Sequence, residues 1–301
     1  MSLEDKEILV TGCGFVGSNL IKYLLSKKAR VTVMDRNLEH IHRLGFPEIG
    51  VIKTDLRHLH KDFEFDFVFH TAGVTNVGYA EANPLQTYDD NVSATLNLLW
   101  HVRARERFVF TSSAVVYNNQ GHKHSEKEEP KPISLYGLSK VAGEELIKHF
   151  GARNKFNYTI FRFFNIYGAG QSDFFLIPQI INQALRQRKI TLWNRTSQRD
   201  FIYIDDVIDG VVNIAQKSEA KDEIVNIGTG KIVSTGEIAD CIVDILGDID
   251  VIDENRYDPA SISVLAADTS KSESLGFRST ISVKEGLEKT ITAYTQNRNI
   301  K

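Results

Sequence analysis

The chain has 301 residues, 42% hydrophobic and 25% charged, with a formal net charge of −3. That length allows a full core with room for two lobes, and the nearly even charge gives no support to a nucleic-acid partner or a polybasic membrane anchor. Cys13 and Cys241 are too few for a disulfide framework, Met1–Glu7 is too charged for a signal peptide, and no apolar run is long enough to span a bilayer; a cytoplasmic protein is the expectation.

Glu7–Thr11, a short β-branched apolar run, reads as the first strand. Thr11-Gly12-Cys13-Gly14-Phe15-Val16-Gly17 follows and opens a helix from about Val16 to Lys27. The spacing is G-x-G-x-x-G in a strand-turn-helix context, the arrangement that lets backbone approach a pyrophosphate at the positive end of a helix. Gly12 allows the tight turn, Gly14 the approach of the ligand, and Gly17 the close packing of helix on sheet. Cys13 is then a small turn residue. Arg30–Asp35 forms a second strand and ends on an acid about twenty residues beyond the turn, the position of an adenosine-ribose partner. A carboxylate there accepts from a 2′-hydroxyl and repels a 2′-phosphate, which favours NAD. Arg36 is the counter-signal: it is either a solvated charge or a guanidinium able to hold that phosphate.

Val51–Thr54, Asp66–His70, Arg107–Ser112 and Tyr158–Phe163 read as buried strands, with helices over about Pro84–Arg103 and Leu135–Phe150. Strands alternating with helices predict an α/β fold, a doubly wound parallel Rossmann sheet covered on both faces. After Gly168 the rhythm changes to a helix near Leu176–Arg188, a strand at Phe201–Ile204, and further elements near Ile224–Ile227 and Gly236–Leu246. These predict a smaller C-terminal α/β lobe. The division is residues 1–167, with about 201–228 returning, for the dinucleotide half; about 168–200 and 229–301 form the lobe. The polar stretch Asn118–Lys131 reads as an exposed loop.

Tyr136-Gly-Leu-Ser-Lys140 puts Tyr and Lys one turn apart on one helical face. A phenol with a pKa of about 10 is a poor base, but a nearby ammonium and a positive nicotinamide ring favour its phenolate. The competing reading is an exposed Tyr resting on a Lys stem. Ser113 closes a strand whose C-terminal end faces the ligand crevice, where it can hydrogen-bond a substrate hydroxyl or satisfy its own backbone.

Taken together, these residues resemble the extended short-chain dehydrogenase/reductases, in the NAD-dependent epimerase/dehydratase family typified by UDP-galactose 4-epimerase. The resemblance runs over nearly the whole chain. It implies that Asp55 and Leu56 of Asp55-Leu-Arg57 flank the adenine, that Thr71, Ala72 and Gly73 after His70 lie along NAD, and that Asn91 stands near the nicotinamide side. It places Ser113, Tyr136 and Lys140 on the catalytic triad. It implies that Asn165 of Arg162-Phe-Phe-Asn165 contacts substrate and that Arg199 of Arg199-Asp-Phe-Ile contacts the nucleotide diphosphate. Asn226-Ile-Gly-Thr-Gly230 resembles a further motif, and Arg256-Tyr-Asp-Pro matches a late diphosphate-binding segment loosely. A homodimer is implied, built on the helices at Pro84–Arg103 and Leu135–Phe150 with Leu96, Leu99, Val141 and Leu146 as candidate stripe and core residues.

Thr75 stands where the bacterial UDP-galactose epimerases carry a Lys, and Asn118 replaces a Gly after Val116-Tyr117. The dehydratases of the family carry acids beside the catalytic hydroxyl; here Ala114 and Val115 follow Ser113. The implied reaction is NAD-dependent epimerisation of a UDP-linked sugar at C4 through a 4-keto intermediate. The alternatives are an NAD(P)H-dependent 4-keto-sugar reductase and, further off, a non-catalytic dinucleotide sensor. His40 with His42, His58 with His60 and His122 with His124 invite a metal reading, but no Cys or carboxylate cluster completes a site in the sequence, so no metal is expected. Trp100 and Trp193 are expected to be packing residues.

Overall fold

A computed structural model of the chain describes residues 3–37, 39, 41, 45–118, 121–154, 156–256 and 264–298. Strand β1, Glu7–Thr11, is followed by helix α1, Phe15–Ser26, and by β2, Arg30–Asp35, and β3, Gly50–Lys53. The chain then returns across β1 to β4, Phe63–His70, and to β5, Val102–Ser113, β7, Tyr158–Phe163, and β12, Glu223–Ile227. The resulting seven-stranded sheet has the order β12-β7-β5-β4-β1-β2-β3 and every pairing is parallel. The order reverses between β1 and β4, which opens a crevice at their C-terminal ends.

The alternation of side chains along each strand separates two cores. Ile8, Val10, Phe67 and Phe69 face α1 and the later helices, whereas Leu9, Val68, Phe108 and Phe110 pack with Leu98, Leu99, Ile147 and Phe150 on the other side. The helix expected over Pro84–Arg103 is three pieces: α3, Pro84–Tyr88, a π-helical turn at Asp89–Ser93, and α4, Ala94–His101, preceded by α2, Val77–Ala82. Val102 and Arg103 already belong to β5, because alternate residues Val102 and Ala104 are buried against β4. Helix α5, Leu135–Asn154, runs longer than expected.

The expected strand Phe201–Ile204 stops at Tyr203, and Ile204 opens α7, Ile204–Ala215, an amphipathic helix that packs against α1. The remaining segments form α6, Leu176–Gln187, α8, Thr235–Leu246, α10, Val283–Arg298, and short strands. Among these, Lys123–His124 is β6 and Gln198–Arg199 is β10; both pair with β15, Val264–Ala267. The polar loop Asn118–Lys131 is therefore partly sheet, and His124 in it is fully buried. Among the described residues no helix is long and apolar enough to cross a membrane.

Candidate active site

The end of β1 and the start of α1 make a glycine cradle. Gly12 has φ +80°, and a Cβ there would lie 2.7 Å from Ala72 Cα, so neither its conformation nor its space admits a side chain. A Cβ on Gly17 would run into Gly12 O. Gly14 differs: a Cβ would meet no protein atom within 4 Å, and its open side borders a cleft of about 540 Å³. The first turn of α1 carries no acid, so its positive end faces that cleft unopposed. This is the shape a pyrophosphate requires, with room kept where a Cβ would intrude. Thr71 Oγ1 donates to Thr11 O at 2.7 Å and to Gly12 O at 3.0 Å, tying the end of β4 to the turn. Cys13 is buried and burial pushes its thiol up to about 11, which fits a packing role.

A second cleft of about 350 Å³ meets the first at Gly73 and is lined by Asp35, Arg36, Asp55, Leu56 and Ala72 among others. Asp35 Oδ2 accepts from Cys13 N–H at 2.6 Å and Oδ1 from Asn37 N–H at 2.8 Å. Asp55 is gripped by the Arg57 guanidinium, whose hydrogen bonds hold the carboxyl down at about 2. Asn91 Oδ1 accepts from Val74 N–H at 2.7 Å, and its amide donates to Val74 O and Ser139 Oγ. It thereby braces the Gly73–Val74 loop between β4 and the helix Leu135–Asn154.

Ser113 ends β5 and borders the larger cleft together with Tyr136 and Lys140 from the first turns of α5. Tyr136 and Lys140 are both buried, which removes the reading of an exposed pair. Burial pushes the Tyr136 phenol up to about 12, and a hydrogen bond from Ser113 draws it back down. Burial lowers Lys140 to about 8, against the pull of Glu144. Lys140 Nζ donates to Thr111 O at 2.9 Å and lies 5.9 Å from the Tyr136 ring centroid. In the chain by itself the depth of burial, invisible in the sequence, outweighs what Ser113 contributes.

Sequence reasoning missed Glu144. It is fully buried and accepts from Ser112 Oγ at 2.6 Å and from Arg162 Nε and Nη2 at 3.0 and 2.7 Å. Arg162 continues to Tyr117 Oη, which donates to Asn226 Oδ1 at 2.7 Å. Glu144 follows Lys140 by one further turn of the same helix, but its partners Ser112 and Arg162 come from other elements, which helical spacing does not reveal.

On the substrate side, Asn165 opens β8, Asn165–Tyr167, and borders the cleft. Arg199 is half-buried and pairs in register with Leu265, a residue of the cleft wall; burial lowers its guanidinium below the usual range, and its Nη1 donates to Gln198 O at 2.8 Å. Asp200 has a structural job: its oxygens accept from Thr229, Gly230 and Ala267 N–H groups and lock the Asn226–Gly230 segment onto β15. Arg256 pairs with Glu254 at 2.9 Å and lies over the Trp193 ring, apart from the residues that line the cleft, while Thr75 is one of them.

His40 and His42 lie outside the described residues, and His58 and His60 are exposed. His122 and His124 converge with one carboxylate, that of Glu128. Glu128 accepts from His124 Nδ1 at 2.8 Å and from Ser125 N–H at 2.8 Å, so local hydrogen bonds account for its place. Trp100 and Trp193 are exposed rather than packed, at 70% and 69%.

Residues 8–228 match the model of the NAD dependent epimerase/dehydratase family. A putative UDP-glucose 4-epimerase of Methanocaldococcus jannaschii is 31% identical over 96% of this chain and 99% of its own. Among solved structures, MoeE5 in complex with UDP-glucuronic acid and NAD superposes with a TM-score of 0.86 at 28% identity, covering 97% of this chain and 99% of that one. The UDP-glucuronic acid 4-epimerase of Bacillus cereus, with UDP-glucuronic acid and NAD, gives 0.86 at 27% identity over 96% and 99%.

Proposed function

The chain belongs to the NAD-dependent epimerase/dehydratase family, and from that premise we propose that it interconverts UDP-linked sugars differing in configuration at C4. The observation that carries this reading is the placement of Ser113, Tyr136 and Lys140 on the wall of the cleft that the glycine cradle borders. Gly12–Gly17, Asp35, Asp55–Leu56 and Thr71–Gly73 would hold NAD, which would supply the hydride chemistry at C4. Tyr136 takes the proton from the sugar O4, and Ser113 hydrogen-bonds the same oxygen. Lys140 holds the nicotinamide ribose, and Asn91 braces the loop beside it. The 4-keto sugar turns over in the cleft and the same groups act in reverse. Asn165 and Arg199 orient the sugar and the diphosphate, with Arg256 a second candidate for the diphosphate. The next residues, Ala114 and Val115, cannot carry protons, which favours epimerisation over dehydration.

The deciding assay offers UDP-glucose and UDP-galactose, then the N-acetyl and uronic acid forms. The expected result is a C4-epimer mixture from either member of a pair, with NAD retained and oxidised. Conversion of none of these sugars, together with oxidation of added NAD(P)H by a 4-keto sugar, would establish the reductase instead.

We also place the enzyme in the cytoplasm, where its two free thiols belong, and assign it a homodimeric state. Leu85 and Trp100 stand 82% and 70% exposed on α3 and α4, and Leu138 on α5 is exposed too. Leu99 is in the core, so the stripe consists of Leu96 and these neighbours. Sedimentation should show a dimer at micromolar concentration, and Trp100→Glu should shift it towards monomer. A monomeric wild type would overturn the assignment.

A further inference from the structure

The second cleft, where the adenosine ribose belongs, has a guanidinium beside the ribose carboxylate. Arg36 directly follows Asp35 at the end of β2 and would be the natural receiver of a 2′-phosphate. It is occupied. Its Nη1 and Nη2 donate to Asp90 Oδ1 and Oδ2 at 3.0 and 3.1 Å, a two-pronged pair reaching from β2 to the π-helical turn. The nearby Arg57 is occupied as well, by Asp55 at 2.6 Å, with its Nη1 3.8 Å from the same Asp90.

We propose that Asp90 is a specificity-determining residue: by holding Arg36, the cation that lines this cleft among the described residues, it withholds that charge from a 2′-phosphate and fixes the preference for NAD over NADP. The inference rests on the second cleft being the adenosine site.

Burial decides which partner controls the pair. Asp90 has 9% of its side chain exposed and Arg36 57%. A guanidinium leaving for a phosphate would return to water easily, but it would strip a buried carboxylate of its two strongest donors, and an unpaired buried charge is costly. A 2′-phosphate would also arrive between two carboxylates, Asp35 and Asp90. The hydrogen bonds from Arg36 to Asp90 raise the Arg36 pKa, in keeping with a pair that is held. Asp35 therefore repels the phosphate and Asp90 removes the compensation. Sequence alone left Arg36 open between a solvated charge and a phosphate clamp; the contact with Asp90, far away in the chain, gives it a third role.

The test compares dissociation constants of NADP⁺ and NAD⁺ for the full chain by equilibrium competition. In Asp90→Asn and Asp90→Ala the NADP⁺/NAD⁺ ratio of dissociation constants should fall by roughly 10- to 100-fold, the scale of a charge-assisted hydrogen bond gained. Adding Arg36→Ala to either variant should restore the wild-type ratio. Arg36→Ala alone should leave that ratio unchanged, which keeps the test decisive if an Asp90 variant folds poorly. An unchanged ratio in well-folded Asp90 variants would overturn the proposal. So would a gain that persists without Arg36, or weaker NADP⁺ binding in Arg36→Ala alone, since Arg36 would then already reach the phosphate. A wild type that binds neither dinucleotide would instead refute the assignment of the cleft.

Discussion

Tyr136→Phe should lower turnover by roughly 10²–10⁴-fold, the usual scale for a lost acid-base group, while leaving the affinity for the UDP-sugar nearly unchanged. The substitution keeps the ring, which is buried at 7% exposure, and removes only the hydroxyl that Ser113 supports. Arg199→Ala should do the converse, raising KM through a lost charge-assisted contact with modest effect on kcat. The pH dependence follows from the same group. With the phenol pushed up to about 12 by burial, the base form is scarce at neutral pH, so wild-type kcat should rise with pH and be lost as pH falls through the pKa of the bound state. That bound-state value should lie below the free one, because a positive nicotinamide ring favours the phenolate. The residual activity of Tyr136→Phe should lack this limb. Near-normal turnover by that variant on the wild type's best substrate would refute the mechanism.

Most of the fold was legible because its signals are local. The glycine spacing after β1 dictates a turn with positive φ at Gly12 and an approach at Gly17 that admits no Cβ. The β-branched runs mark strands that are buried on both faces. The break of the helix at Asp89–Ser93 was not legible, since a π turn depends on tertiary packing rather than on propensity. Nor was α7, whose opening residue Ile204 extends the apolar run of Phe201–Tyr203 and reads as strand until its packing on α1 is known. At the site, several residues that line the two clefts could be read from motifs, whereas those acting through other residues could not. Asp90 and Glu144 look like ordinary surface acids on helices. Their roles arise from partners 54 and 18 positions away, and no periodicity encodes that. The Arg199-Asp200 segment pointed to Arg199 alone, whereas the structural role of Asp200, which locks a loop, depends on partners about 30 and more positions away.

Glu144 and Arg162 support the second large expected effect. Both side chains are buried, at 0% and 1% exposure. Burial alone would depress the Arg162 guanidinium, but Glu144 outweighs it and holds the pKa above the usual range. Removing one member leaves a bare charge in the interior, which costs about 3–5 kcal/mol. Arg162→Leu should therefore lower Tm by about 10 °C in a chain of this size, and it should also impair turnover. Glu144 would lose the partner that fixes it, and with it the Ser112 hydroxyl directly before the catalytic Ser113. Glu144→Leu should cost as much stability and act on Lys140 as well, whose ammonium it helps retain against burial. The double variant separates coupling from simple loss of packing. With both charges gone the interior holds two apolar side chains, so Glu144→Leu/Arg162→Leu should be clearly more stable than the sum of the single losses, by up to about 3 kcal/mol of coupling. Its activity should nonetheless stay low, because stability returns with packing while the placement of Ser112 and Lys140 requires the carboxylate. Strictly additive losses in denaturant unfolding would show that the pair is not a unit. A double variant with wild-type turnover would show that the catalytic strand end holds its geometry without it.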